Sequence, residues 1–153
     1  MIIGIDPGKG GGIASLSDVG TIRVHNCPEV IYEMADILYK CRNYSYIENE
    51  PLFAAIEFVH AFPTDSASSA FKFGTNYGLW LGILESLRIP YVKVSPQRWM
   101  KDFQPLSKDK RTRKNELKEI AKDIYPKATL KTADAILIAV WSKNDRVTNT
   151  NGN

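Results

Sequence analysis

Residues 52–59 (LFAAIEFV) are apolar except for Glu57. A strand with one wet face alternates polar and apolar positions, whereas an unbroken apolar run belongs to a strand covered on both sides. A chain containing such a strand must bring helices to both faces of its sheet, which points to a layered α/β architecture. The flanking segments supply the layers. Residues 1–6 (MIIGID) read as a short apolar strand closed by the turn signal Asp-Pro-Gly, and residues 13–16 and 21–25 continue it as an antiparallel meander. Pro28 opens a predicted helix running to Arg42, with Val30, Ile31, Met34, Ile37, Leu38 and Cys41 on one face. Residues 43–51 read as a polar loop. Asp65 or Ser66 caps a long helix ending near Arg88, and residues 91–94 form another strand followed by a short helix over 96–103. Ser107 caps a basic helix that ends before Pro126, and residues 130–142 make a last apolar helix. The expected sheet is mixed and five-stranded, a meander of three strands followed by two parallel strands, flanked by helices. It forms one domain over residues 1–143, with a flexible tail over 144–153.

The 153-residue length fits a single core, and 44% hydrophobic with 24% charged residues excludes wholesale disorder. No apolar run approaches the ~20 residues of a membrane span, and residues 1–6 are too short for a signal peptide. Cys27 and Cys41 form no CxxC pair, so they are expected as two buried thiols of a reducing cytoplasm. Net charge is only +3, but it is unevenly spread: residues 93–118 hold nine Lys or Arg against three acids. That basic stretch on an otherwise mildly acidic chain predicts a face for a polyanion, with a solvated basic surface as the alternative. Lys108, Lys110, Arg111, Arg113 and Lys114 crowd a loop and the start of a helix, where cations oppose the helix dipole; helix stability does not explain them.

Three carboxylates stand in apolar surroundings. Asp6 ends the first strand, Glu57 interrupts the central one, and Asp134 heads a helix whose same-face successors are Leu137, Ile138 and Trp141. Such acids persist when a cation or several donors compensate them, and three converging acids suit the hard ions Mg²⁺ or Mn²⁺ better than zinc. Each has a plainer reading. Asp6 can start the Asp-Pro-Gly turn, Asp134 can cap its helix, and Glu57 can pair with a lysine such as Lys93. A phosphate loop at Gly8-Lys9-Gly10 is rejected, because GxxxxGK[ST] is absent and no helix follows; no nucleotide cofactor is expected.

Five segments in order, GIDPG (4–8), AIEFVH (55–60), SSAFKFGTNYG (68–78), VSPQRWMK (94–101) and ADAILIA (133–139), resemble the RuvC family of Holliday-junction resolvases, most closely its phage-encoded branch. The resemblance spans residues 1–142. It implies an RNase H-like fold and a Mg²⁺-dependent endodeoxyribonuclease, with Mn²⁺ able to substitute, that cuts branched DNA as a homodimer in the cytoplasm of a host bacterium. By position, Asp6, Glu57 and Asp134 take the places of the catalytic, metal-holding acids. Two ions would activate a water and stabilise the departing 3′-oxygen, leaving 5′-phosphates. The pattern is broken at the fourth ligand: the family's Asp or His falls on Leu130 or Lys131, which weakens the second ion and leaves Lys131 an accessory group. The resemblance also puts Arg98 and Lys101 beside the active-site edge, and His60 or Phe62 at the aromatic that wedges the junction centre, where base stacking contributes ~1–3 kcal/mol. His60 is alternatively an ordinary loop histidine.

Gly74, Gly78 and Gly82, four apart, form one stripe that admits a helix closely, either in the core or across a dimer axis; the family's dimer favours the latter. Two further functions stay open: a junction-binding protein with weak or no catalysis, and an RNase H-like nuclease acting on structured RNA.

Overall fold

The computed structural model describes residues 1–58, 60, 64 and 66–150, the last four by backbone alone. Five strands, β1 (Ile2–Asp6), β2 (Gly12–Leu16), β3 (Ile22–Asn26), β4 (Phe53–Glu57) and β5 (Tyr91–Val94), form one sheet in the order β3-β2-β1-β4-β5. β1, β2 and β3 pair antiparallel, while β4 and β5 extend the sheet parallel to β1. This is the mixed five-stranded arrangement expected from the sequence.

The pleat sends successive side chains to opposite faces, and the two faces have different helices. Ile3, Ile5, Ala54 and Ile56 pack with Met34 and Leu38 of α1 (Ile31–Ile47) and Trp80 and Leu84 of α2 (Ala67–Ser86). The other face buries Ala14, Ala55 and Val94 under α5 (Ala133–Thr150), backed by Trp99 of α3 (Pro96–Met100) and Leu117 and Ala121 of α4 (Lys110–Ile124). Gly4 permits this second layer. A Cβ there would lie 2.1 Å from the Ala135 carbonyl oxygen and 2.5 Å from the Ala139 nitrogen, so α5 rests directly on the β1 backbone.

Several element boundaries differ from the sequence reading. α1 starts at Ile31, because the Cys27 N–H still donates to the Gly11 carbonyl (3.0 Å) and keeps the chain extended beyond β3. It then runs through residues 43–47, expected as loop: Tyr44 packs on the core, and buried Ser45 donates to the Glu50 carbonyl (2.5 Å). α4 is capped by Asp109, which accepts from Thr112 N (2.8 Å), while the Ser107 hydroxyl accepts from Asp109 N instead. α5 begins at Ala133 and extends beyond Ser142, its later turns tied by Asp145 to Arg98 and by Arg146 over the Phe53 ring. The long helix α2 is capped by Ser66, which accepts from Ser69 N (3.1 Å); Asp65 lies outside the described residues. Both cysteines are free and buried. No helix among the described residues is long and apolar enough to cross a membrane.

Candidate active site

The register of β1 and β4 brings the first two acids together. Ile5 pairs with Ile56, so the next residues, Asp6 and Glu57, stand side by side where two parallel strands end. Both follow the alternation of Gly4 and Ala55 and face α5, not the α1 and α2 layer. Between β1 and β4 the chain connections leave in opposite directions, and the carboxyl ends of strands at such a point are where open α/β sheets place their ligand sites. α5, seated on Gly4, delivers Asp134 from above the same strand end; Asp134 is buried, as are Leu137, Ile138 and Trp141 along its face.

The three acids form one electrostatic unit. Burial first, then the charges of Glu57 and Asp134, hold the Asp6 carboxyl well above the usual carboxylate range, against the pull of Lys114. Burial likewise raises Glu57, opposed by a hydrogen bond from Trp99, whose indole Nε1 donates to Glu57 Oε1 (2.9 Å). The Asp6 and Glu57 carboxyls also act on each other directly, which raises Asp6 and lowers Glu57. The Lys114 ammonium donates to Asp134 Oδ2, whereas Asp134 Oδ1 is buried without a hydrogen-bond partner. Gly11 leaves room for the strand end: a Cβ there would approach the Asp6 carboxyl carbon to 2.9 Å and its carbonyl oxygen to 2.1 Å. The turn after Asp6 is held from α2, where Asn76 Oδ1 accepts from buried Gly8 N (2.8 Å).

Whether this donor set fits a divalent ion is answered by its composition. Among the described residues no three His, Cys, Asp or Glu side chains stand as a ready ligand set, and Asp134 gives one oxygen to Lys114. Yet two buried acids and the half-buried Glu57 share one ammonium, and one carboxylate oxygen is orphaned. Hard cations such as Mg²⁺ relieve that kind of deficit. The residues fit.

Of the plainer readings, the Lys93 partner for Glu57 is excluded. Lys93 pairs with Ile56, so it lies on the opposite face from Glu57, and it is exposed. Asp134 lies inside the first turn of α5. Lys131 is exposed, and its backbone carbonyl lies beside Gly12, the residue that pairs with Asp6. Lys114, expected only at the DNA surface, is the lysine in the pocket. The signal was its place on the stripe Lys114-Leu117-Ala121, whose other two members are buried. Trp99 and Asn76 were not anticipated as positioning residues; a buried tryptophan needing an acceptor was the hint for the first.

The remaining basic groups divide. Lys101, just after α3, is exposed, as are Lys108, Lys110 and Arg111 at the start of α4. Arg113 instead donates to the Ser107 and Lys108 carbonyls (3.1 and 3.0 Å), folding the preceding loop. Arg98 lies over the Trp141 ring (5.1 Å) and pairs with Asp145 (3.5 Å). His60 is exposed, its ring 6.1 Å from that of Phe58, and it lines a groove with Lys9, Lys72, Asn76 and Lys110; Phe62 lies outside the described residues. Gly74, Gly78 and Gly82 are exposed, and a Cβ at any of them meets nothing, so they play no part in this chain's own core.

No protein-family model matches the chain, and no curated protein matches its sequence. Solved structures do. Thermus thermophilus RuvC in complex with Holliday junction substrate superposes with a TM-score of 0.64 at 17% identity, covering 97% of this chain and 96% of that one. The fold is that of RuvC. A second Thermus thermophilus RuvC structure matches with a TM-score of 0.55 at 20% identity over the same shares. The likeness to RuvC spans the whole sheet and its helices, with no large segment left over on either side.

Proposed function

We propose that this chain is a structure-selective endodeoxyribonuclease that hydrolyses phosphodiester bonds in branched DNA such as Holliday junctions. The observation that carries this reading is the meeting of Asp6, Glu57 and Asp134 at the ends of parallel β1 and β4, in a fold shared with a RuvC that binds a Holliday junction.

Asp6, Glu57 and Asp134 would hold Mg²⁺, for which Mn²⁺ substitutes. The cation supplies positive charge that makes water a better nucleophile at neutral pH and stabilises the departing oxygen. The chain's own groups do the rest. The Trp99 N–H fixes Glu57 by one oxygen. Burial of Asp6 and Asp134 keeps their charges poorly screened, so they act strongly on whatever enters. Lys110 and Arg111 lie one turn before Lys114, so the exposed cations of α4 lead phosphates along the helix toward the acids. Cleavage breaks the bond between phosphorus and O3′, leaving a 3′-hydroxyl and a 5′-phosphate. Working as a homodimer through the exposed glycine stripe of α2, two copies would address opposed strands of a junction in the cytoplasm. His60, with Phe62, is the candidate for stacking at the junction centre.

Asp6→Asn is expected to abolish Mg²⁺-dependent cutting of a synthetic four-way junction, measured on denaturing gels, while a mobility-shift assay shows binding retained. Cutting at the wild-type rate would refute the proposed site. Flaps, forks and RNA duplexes in the same assay separate junction resolution from nuclease action on RNA. A second reading, junction binding with weak catalysis, draws on Lys131 at the usual ligand position; a large gain in cutting by Lys131→Asp would favour it.

A further inference from the structure

The acid pocket contains a cation of its own. We infer that Lys114 takes the place of a second metal ion, so that the pocket binds a single divalent cation per chain; this rests on the nuclease reading above.

Three observations converge. First, Lys114 is anchored, not loosely tethered: it belongs to the stripe of α4 whose Leu117 and Ala121 are buried, and its ammonium is already on Asp134 Oδ2. Asp134 therefore has only Oδ1 to offer, and that oxygen is the buried acceptor without a partner. Second, the charges close with one ion. Three carboxylates and one ammonium are neutralised by a single divalent cation. A second ion would leave the pocket doubly positive, and the single negative charge of a phosphodiester would not restore balance. Third, the position where the sequence pattern calls for a further ligand is taken by Leu130 or Lys131, neither of which offers one, so a second ion would depend on the Asp134 oxygen that Lys114 holds.

Such an arrangement gives Lys114 a fixed charge beside the reacting phosphate that no chelator removes. It also makes the Lys114–Asp134 pair the element that sets how many ions the site accepts.

The test counts ions, not turnover. Metal-stripped full-length protein is titrated with Mn²⁺, and free Mn²⁺ is followed by its electron paramagnetic resonance signal. One Mn²⁺ is expected per wild-type chain, and two per chain of Lys114→Met. Circular dichroism confirms that the variant is folded, and Lys114→Gln replaces it if it is not. Two ions on the wild type would overturn the inference while leaving the nuclease reading intact. A single ion on the folded variant would overturn it as well. No ion on the wild type at millimolar Mn²⁺ would remove both.

Discussion

Burial and two neighbouring acids work against the charge of Asp6, and the sign of the effect is testable. The folded-state pKa of Asp6 lies above the unfolded value of about 3.9, chiefly through burial and then the charges of Glu57 and Asp134. A group raised in this way contributes its full stability only below the unfolded pKa and loses it as pH rises through the folded one. At neutral pH the metal-free protein therefore bears the penalty, and Asp6→Asn removes it. The variant should melt higher than wild type in chelator at pH 7 to 8, by a few degrees if the relief is on the order of 1–2 kcal/mol. The gain should vanish only as pH falls clearly below about 3.9, where the Asp6 carboxyl is protonated in the folded and the unfolded chain alike. Differential scanning calorimetry across pH decides it, and an unchanged or lowered melting temperature at pH 7.5 would show that Asp6 is already well compensated. A site that destabilises its own fold until it is occupied is what function at the expense of stability looks like at one residue.

At the scale of elements, α5 is the part that turns sheet geometry into site geometry. With no side chain at Gly4, the helix settles onto β1 and carries Asp134 to the strand end. Gly4→Ala forces a methyl into helix backbone; it should destabilise the fold by about 3 kcal/mol. It should also lower cleavage roughly 100-fold by displacing Asp134 without touching any acid. Urea unfolding and single-turnover kinetics measure the two effects, and wild-type values in both would mean that α5 does not bear on Gly4. The same elements explain what could be read in advance. Glu57 announced itself because a strand buried on both faces has no ordinary use for a carboxylate, and Asp134 because Leu137, Ile138 and Trp141 fixed the inward face of its helix. Interactions of long side chains across elements were not legible: Lys114 reaches Asp134 from another helix, twenty residues away, and looked like one more cation in a basic run. The end of α1 was hidden for a related reason. Tyr44 and Ser45 look polar in sequence, but the ring packs on the core and the hydroxyl is satisfied by Glu50, so the helix continues where composition signals a loop.

Over the whole molecule, Asp6, Glu57 and Asp134 are gathered at one strand end while exposed Lys108, Lys110 and Arg111 stand at the start of α4, within a net charge of only +3. Junction affinity should fall steeply with salt, because the release of counterions from DNA phosphates into bulk becomes less favourable. Replacing Lys108, Lys110 and Arg111 together by Ala should weaken binding and flatten the slope of log K against log salt by about one for each phosphate that no longer meets a cation. Fluorescence anisotropy between low and moderate salt reads this directly; an unchanged slope would make those residues a solvated surface. The pairing of β1 with β4 has one more consequence. If β4 slipped by a single residue, Glu57 would turn into the layer that holds Trp80 and Leu84, and Ile56 would turn out of it. The energetic demand of the interior thus works as a proofreader: a chain that misaligns its chemistry also forfeits its core, so assembly of the pocket and attainment of the native state are a single event.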